Sequence, residues 1–124
     1  MSGKLFVYGT LHPSRAPQAL QDLVSRFRSC GRGTVKGRLY DFGAYPGVVL
    51  DETAGLVAGE VFLLPEDTDT FARLDDYEGY VPASPSESLY LRQVVGVQME
   101  DGGELQAWIY VYNRPLPDES KSAR

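Results

Sequence analysis

The chain has 124 residues, 43% of them apolar and spread along its whole length, and seventeen acids against twelve bases give a formal charge of −5. This fits one globular domain with a single core and excludes a disordered chain. Clustered Lys and Arg of the kind that neutralise phosphates are missing, so nucleic acid is excluded as the main partner.

Cys30 is the only cysteine, which rules out an intrachain disulfide, and no Cys/His cluster has the spacing of a zinc site. A reducing cytoplasm is the expected location. No apolar run approaches the roughly 20 residues that span a bilayer, and MSGKLFVYG is too short for a signal peptide, so neither membrane insertion nor secretion is expected.

In chain order, KLFVYG (4–9) is β-branched and aromatic and predicts a strand ending at Gly9, followed by the loop TLHPSRAP. Leu20, Leu23, Val24 and Phe27 recur at helical spacing after Pro17, which predicts a helix over about 16–29 with Gly31 as its stop. GTVKGRLYDF (33–42), GVVL (47–50) and LVAGEVFLLP (56–65) predict strands. EDTDTFARLDDYEG predicts a short helix with Asp67 or Thr68 as N-cap and Gly79 as stop. VPASPSES (81–88) is a turn-rich loop, LYLRQVVGVQM (89–99) and LQAWIYVYN (105–113) form a hairpin, and the polar tail 114–124 lies beyond a single domain 1–113. On strand alternation Trp108, Tyr110 and Tyr112 share one face. The order predicts an α+β fold, a small mixed and mostly antiparallel β-barrel with flanking short helices. No GxGxxG or GxxxxGK[ST] follows the first strand, which disfavours a dinucleotide fold.

Two stretches can carry chemistry. In VYGTL (7–11), Gly9 allows close approach of backbone to a ligand, so the loop is either an ordinary turn or a set of N–H donors for an anion or oxyanion. In LDDYEGY (74–80), three acids sit where a helix ends, although the partial negative charge there disfavours each exposed acid by roughly 0.3–1 kcal/mol. Asp75 and Asp76 read as solvated. Glu78, bracketed by Tyr77, Gly79 and Tyr80, is either a solvated helix end or a base whose pKa is raised by desolvation and like charge. His12, the only histidine, reads as a loop residue, and Cys30, Ser14, Ser84, Ser86 and Ser88 have no nucleophile context.

Taken in order, VYGTL, GRLYDFGAYPGVV, VAGEVFLL, LDDYEGY, LYLRQVV and AWIYVYN resemble the gamma-glutamylcyclotransferase family, most closely its gamma-glutamylamine cyclotransferase-like branch, over residues 5 to about 113. The resemblance implies a small-barrel fold and an enzyme that needs no cofactor and no metal. Its reaction would cyclise the γ-glutamyl group of a small γ-glutamyl amine or peptide to 5-oxoproline and release the amine. It implies that Tyr8, Gly9, Thr10 and Leu11 form the substrate-binding loop and that Glu78 is the general acid/base. The chain departs from the family's look in HPSRAP after YGTL, which bears on substrate identity, and in Gln93 after YLR, which falls on a sheet surface. Two other readings use the same residues: a non-catalytic module binding an amino-acid-like ligand, and an acidic surface at LDDYEGY docking a basic partner. Monomer and homodimer both remain open, as does the identity of the leaving amine.

Overall fold

The computed structural model describes residues 3–8, 16–41, 46–66 and 69–114. Its strands are β1 (Lys4–Val7), β2 (Arg28–Asp41), β3 (Pro46–Leu50), β4 (Leu56–Leu63), β5 (Tyr90–Met99) and β6 (Glu104–Tyr112), and its helices are α1 (Gln21–Val24) and α2 (Thr70–Glu78). Short 3-10 turns at Gln18–Leu20 and Pro85–Glu87 complete the described elements.

The strands run in the order β3-β2-β4-β1-β6-β5, and β5 returns to pair with β2 at Met99 opposite Gly33 and Gln98 opposite Thr34. That last pairing closes β2, β4, β1, β6 and β5 into a five-stranded barrel, with β3 added outside it on β2. Among the described residues, β1 pairs with β6 in parallel and the other pairings are antiparallel. The barrel is the mixed, mostly antiparallel one that the element order predicts.

Strand alternation divides the apolar residues into two cores. Phe6, Val35, Val57, Val61, Val97 and Ile109 come from all five barrel strands and pack together as the interior. Leu5, Val7, Phe62 and Tyr110 point the other way and bury Leu20, Leu23, Val24 and Leu74 of the helical segments against the barrel's outer face. Trp108 and Tyr112 pack against this second core, so the shared face of Trp108, Tyr110 and Tyr112 is the one α2 covers.

The first helix is much shorter than its apolar periodicity predicts. Its four apolar residues are buried as the spacing requires, but the chain leaves the helix after Val24, and Arg28 and Ser29 pair with Leu63 and Phe62 of β4. A one-turn helix is marginal by itself, and ladder pairing with an existing strand overrides its propensity. Gly31 is therefore no helix stop. It follows a β-bulge at Cys30, where the register shifts between Ser29 and Gly31, and its φ of +114° is one that side-chain-bearing residues rarely adopt. The second helix starts after Asp69, whose side chain makes no capping bond, while Asp67 and Thr68 lie outside the described residues.

Candidate active site

Helix α2 ends where the sequence places its stop. Gly79 takes a left-handed φ of +78°, and the N–H of Tyr80 donates to the Asp75 carbonyl at 2.9 Å, which satisfies an end-of-helix acceptor. Phe71, Asp75 and Glu78 recur at one-turn spacing and so share one side of the helix. Arg73, elsewhere on α2, grips Asp22 through two bonds of 3.0 and 2.9 Å and ties α2 to α1.

Asp75 is not solvated, contrary to its reading in the sequence. It is 6% exposed, and its carboxylate accepts from Arg92 Nε at 2.8 Å, from Arg92 Nη2 at 3.2 Å and from the Tyr110 hydroxyl at 2.6 Å. Arg92 and Tyr110 stand directly opposite each other on β5 and β6, so one cross-strand pair supplies all three donors. The guanidinium lies 4.2 Å from the Phe71 ring centre and 4.8 Å from that of Trp108, with Tyr80 at 5.7 Å. Aromatic faces thus shield an ion pair that water would otherwise screen.

Tyr110 also accepts, through its backbone carbonyl, a short bond from the Tyr8 hydroxyl. The same Tyr8 oxygen accepts from the Val48 N–H at 3.2 Å, so β1, β3 and β6 meet at one phenol. Burial is the main cause that holds both tyrosines far above the ordinary phenol range, so each remains a hydroxyl. The charge of Glu78 contributes to both shifts, which places its carboxylate within electrostatic reach of Tyr8 and Tyr110.

Glu78 itself is half-buried, and burial pushes its carboxyl up from 4.5 to about 7. Among the described residues no hydrogen bond or ion pair reaches this carboxylate. A carboxyl poised near neutrality both takes and returns a proton at little cost, which is what general acid/base work requires. Asp76 is exposed on the other side of the helix end. No group of His, Cys, Asp and Glu among the described residues has the arrangement of a metal site.

The loop after α2 is held at both ends. The Leu89 N–H donates to the Gly79 carbonyl at 2.9 Å, and the buried Ser88 Oγ accepts from the Val81 N–H at 2.8 Å. Asn113 Nδ2 donates to the carbonyls of Pro85 and Ser88, each at 3.0 Å. These bonds tie residues 80–89 back to the end of α2 and to Asn113 after β6.

Of the residues singled out in the sequence, Tyr8 and Glu78 lie within electrostatic reach of each other. Gly9, Thr10 and Leu11, with His12 and Ser14, lie outside the described residues. Sequence reasoning missed Asp75, Arg92 and Tyr110 as a linked group. The available signal was the three-residue spacing of Asp75 and Glu78, which puts both acids on one side of any helix through LDDYEGY. Gln93 is exposed on β5, as expected of a sheet surface.

A closed mixed barrel with a carboxylate-bearing helix packed on its outer face defines a small α+β protein. The family model described as gamma-glutamyl cyclotransferase, AIG2-like, matches residues 5–124, and the chain belongs to that family of cyclotransferase enzymes. A relative from Niallia circulans, gamma-L-glutamyl-butirosin B gamma-glutamyl cyclotransferase, is 36% identical over 114 residues, which are 89% of this chain and 67% of the relative. Among solved structures, an AIG2-like protein from mouse aligns with a TM-score of 0.70 at 25% identity, covering 94% of this chain and 80% of that one. A protein from Arabidopsis thaliana aligns with a TM-score of 0.65 at 26% identity, covering 93% and 72%.

Proposed function

We propose that this enzyme closes the γ-glutamyl group of a small γ-glutamyl amine or peptide to 5-oxoproline and expels the amine, with Glu78 as the general acid/base. The observation that carries this reading is a half-buried carboxyl near pKa 7, unpaired among the described residues and within electrostatic reach of Tyr8, at the position the family motif assigns to the acid. The relative that acts on γ-glutamyl-butirosin supports the γ-glutamyl class of substrate.

The substrate's α-ammonium has no free electron pair until it loses a proton. Ionised Glu78 takes that proton, and the freed nitrogen attacks the γ-carbonyl carbon to form the ring C–N bond. Glu78 returns the proton to the γ-amide nitrogen as the old C–N bond breaks, then takes the second proton from the ring nitrogen and passes it to the released amine, leaving a neutral lactam N–H and an ammonium. Atoms and electrons balance without a co-reactant. The attack is intramolecular, so the protein's task is to hold the glutamyl chain folded near attack geometry. In this reading the segment Gly9, Thr10 and Leu11 presents backbone N–H groups to the substrate carboxylate or the developing oxyanion. Tyr8 anchors that segment, because its hydroxyl is already committed to the Tyr110 carbonyl.

The test is mass-spectrometric detection of 5-oxoproline after incubation with γ-glutamyl amines, γ-glutamyl-ε-lysine, γ-glutamyl dipeptides and glutathione, for wild type and Glu78→Gln. Release by wild type and its loss in the variant support the reading and begin to define the leaving amine. Full turnover by Glu78→Gln overturns the role of Glu78. No release from any substrate by folded wild type favours the binding-module alternative.

A further inference from the structure

We propose that Asp75, Arg92 and Tyr110 form an internally neutral clamp that positions Glu78 against Tyr8 and keeps the charge of Asp75 from acting on it. The inference rests on the reading of Glu78 as the base, and the three residues are positioning residues rather than reacting ones.

The geometry supports the clamp in two ways. First, it links both halves of the site through one chain of bonds. Arg92 and Tyr110 hold Asp75 of α2 from β5 and β6, while the Tyr110 carbonyl holds the hydroxyl of Tyr8 at the end of β1. The helix carrying the base and the strand leading to the substrate loop are thereby fixed to a single residue, Tyr110. A misplacement of about 1 Å at such a site costs on the order of 100-fold in rate, so the link is worth its buried polar groups.

Second, the charges are arranged to cancel. Asp75 and Glu78 are one helical turn apart, roughly 5–6 Å between Cβ atoms, which is close enough for like charges to interact. Among the described residues, Asp75 stands one turn back on the same helix and is paired with Arg92 of β5, while the charge of Glu78 reaches Tyr8, just after β1, and Tyr110 on β6. Both tyrosines stay neutral, and Asp75 and Arg92 neutralise each other.

The two halves of the ion pair therefore make opposite predictions. In Asp75→Asn the amide oxygen still accepts from Tyr110, but Arg92 is left as an unbalanced cation, and Glu78 should titrate about one pH unit lower. In Arg92→Met the Asp75 and Glu78 carboxyls face each other without a counter-ion, and the pair's upper titration should move about one unit higher. Removing both charges, in Asp75→Asn with Arg92→Met, should return it close to wild type. Tyr110→Phe leaves the charges intact and should lower kcat on the order of 10-fold or more with KM less affected, because it severs only the link.

The experiment is a carboxyl carbon-13 NMR titration of Glu78 in wild type, the two single variants and the double variant, each checked for folding by amide spectra. The acid limb of kcat/KM is measured in parallel. Opposite shifts in the single variants, cancelling in the double, support the clamp. Unmoved titration, or shifts of the same sign, overturn it. If Arg92→Met does not fold, Arg92→Gln with Asp75→Asn gives the same comparison of signs. The NMR readout needs no substrate: full turnover by Glu78→Gln removes the base and the clamp's purpose together, whereas an inactive Glu78→Gln with unmoved titrations removes the clamp alone.

Discussion

Asp75 and Glu78 lie on one side of α2, three residues apart, and the fold treats them in opposite ways: Asp75 is buried with three donors, and Glu78 is half-buried with none among the described residues. The pair resolves the oddity of an acid cluster at a helix C-terminus. One acid is neutralised by Arg92, Asp76 is solvated, and Glu78 is desolvated without a compensating partner among the described residues.

That cost predicts a pH-dependent stability. The folded-state value near 7 exceeds the ordinary 4.5, so between these values the folded chain binds more protons than the unfolded chain and stability falls as pH rises. Glu78→Gln removes the titration. It should be more stable than wild type by about 1–3 kcal/mol at pH 8, with the gap closing at pH 4, as measured by urea unfolding at both pH values.

Activity should show the same ionisation with the opposite benefit. As general base Glu78 must be ionised in the free enzyme, so kcat/KM should rise with pH through an acid limb near 7 and level off above it. The pH profile of 5-oxoproline release checks this, and a limb near 4.5 would show that the carboxyl is not perturbed in the working enzyme.

Gly79 fixes where the base points. Alanine there must adopt φ of +78°, and its Cβ would come within 3.2 Å of Leu89 Cβ. Gly79→Ala should destabilise by about 1–2 kcal/mol from the backbone alone and reduce kcat, because relief of the strain turns the last residue of α2. Denaturant midpoint and kcat measured on the same preparation test both parts.

Ser88 should hold the loop that follows α2. Ser88→Ala leaves the Val81 N–H without its 2.8 Å acceptor, a loss of about 0.5–1.5 kcal/mol for a part-buried bond. Faster hydrogen exchange at the Val81 amide, with exchange in β1 and β4 unchanged, is the expected result.

The periodicity of the chain determined most of the architecture. Alternating apolar residues in β1, β4, β5 and β6 define two faces wherever the strands pair, and Gly79 ends α2 because few other residues accept its backbone geometry. The sequence also singled out Glu78, since an acid bracketed by aromatics at a helix end is locally anomalous. Tertiary structure alone decided the rest. The segment 28–32 became strand because β4 was there to pair with it, and a local pattern carries no information about a distant partner. Likewise Asp75 reads as a surface acid until β5 and β6 bring Arg92 and Tyr110 to it, from 17 and 35 residues away. Whether a carboxylate is solvated, paired or left bare depends on what the closed barrel places against it, and that is a property of the fold rather than of any one stretch of chain.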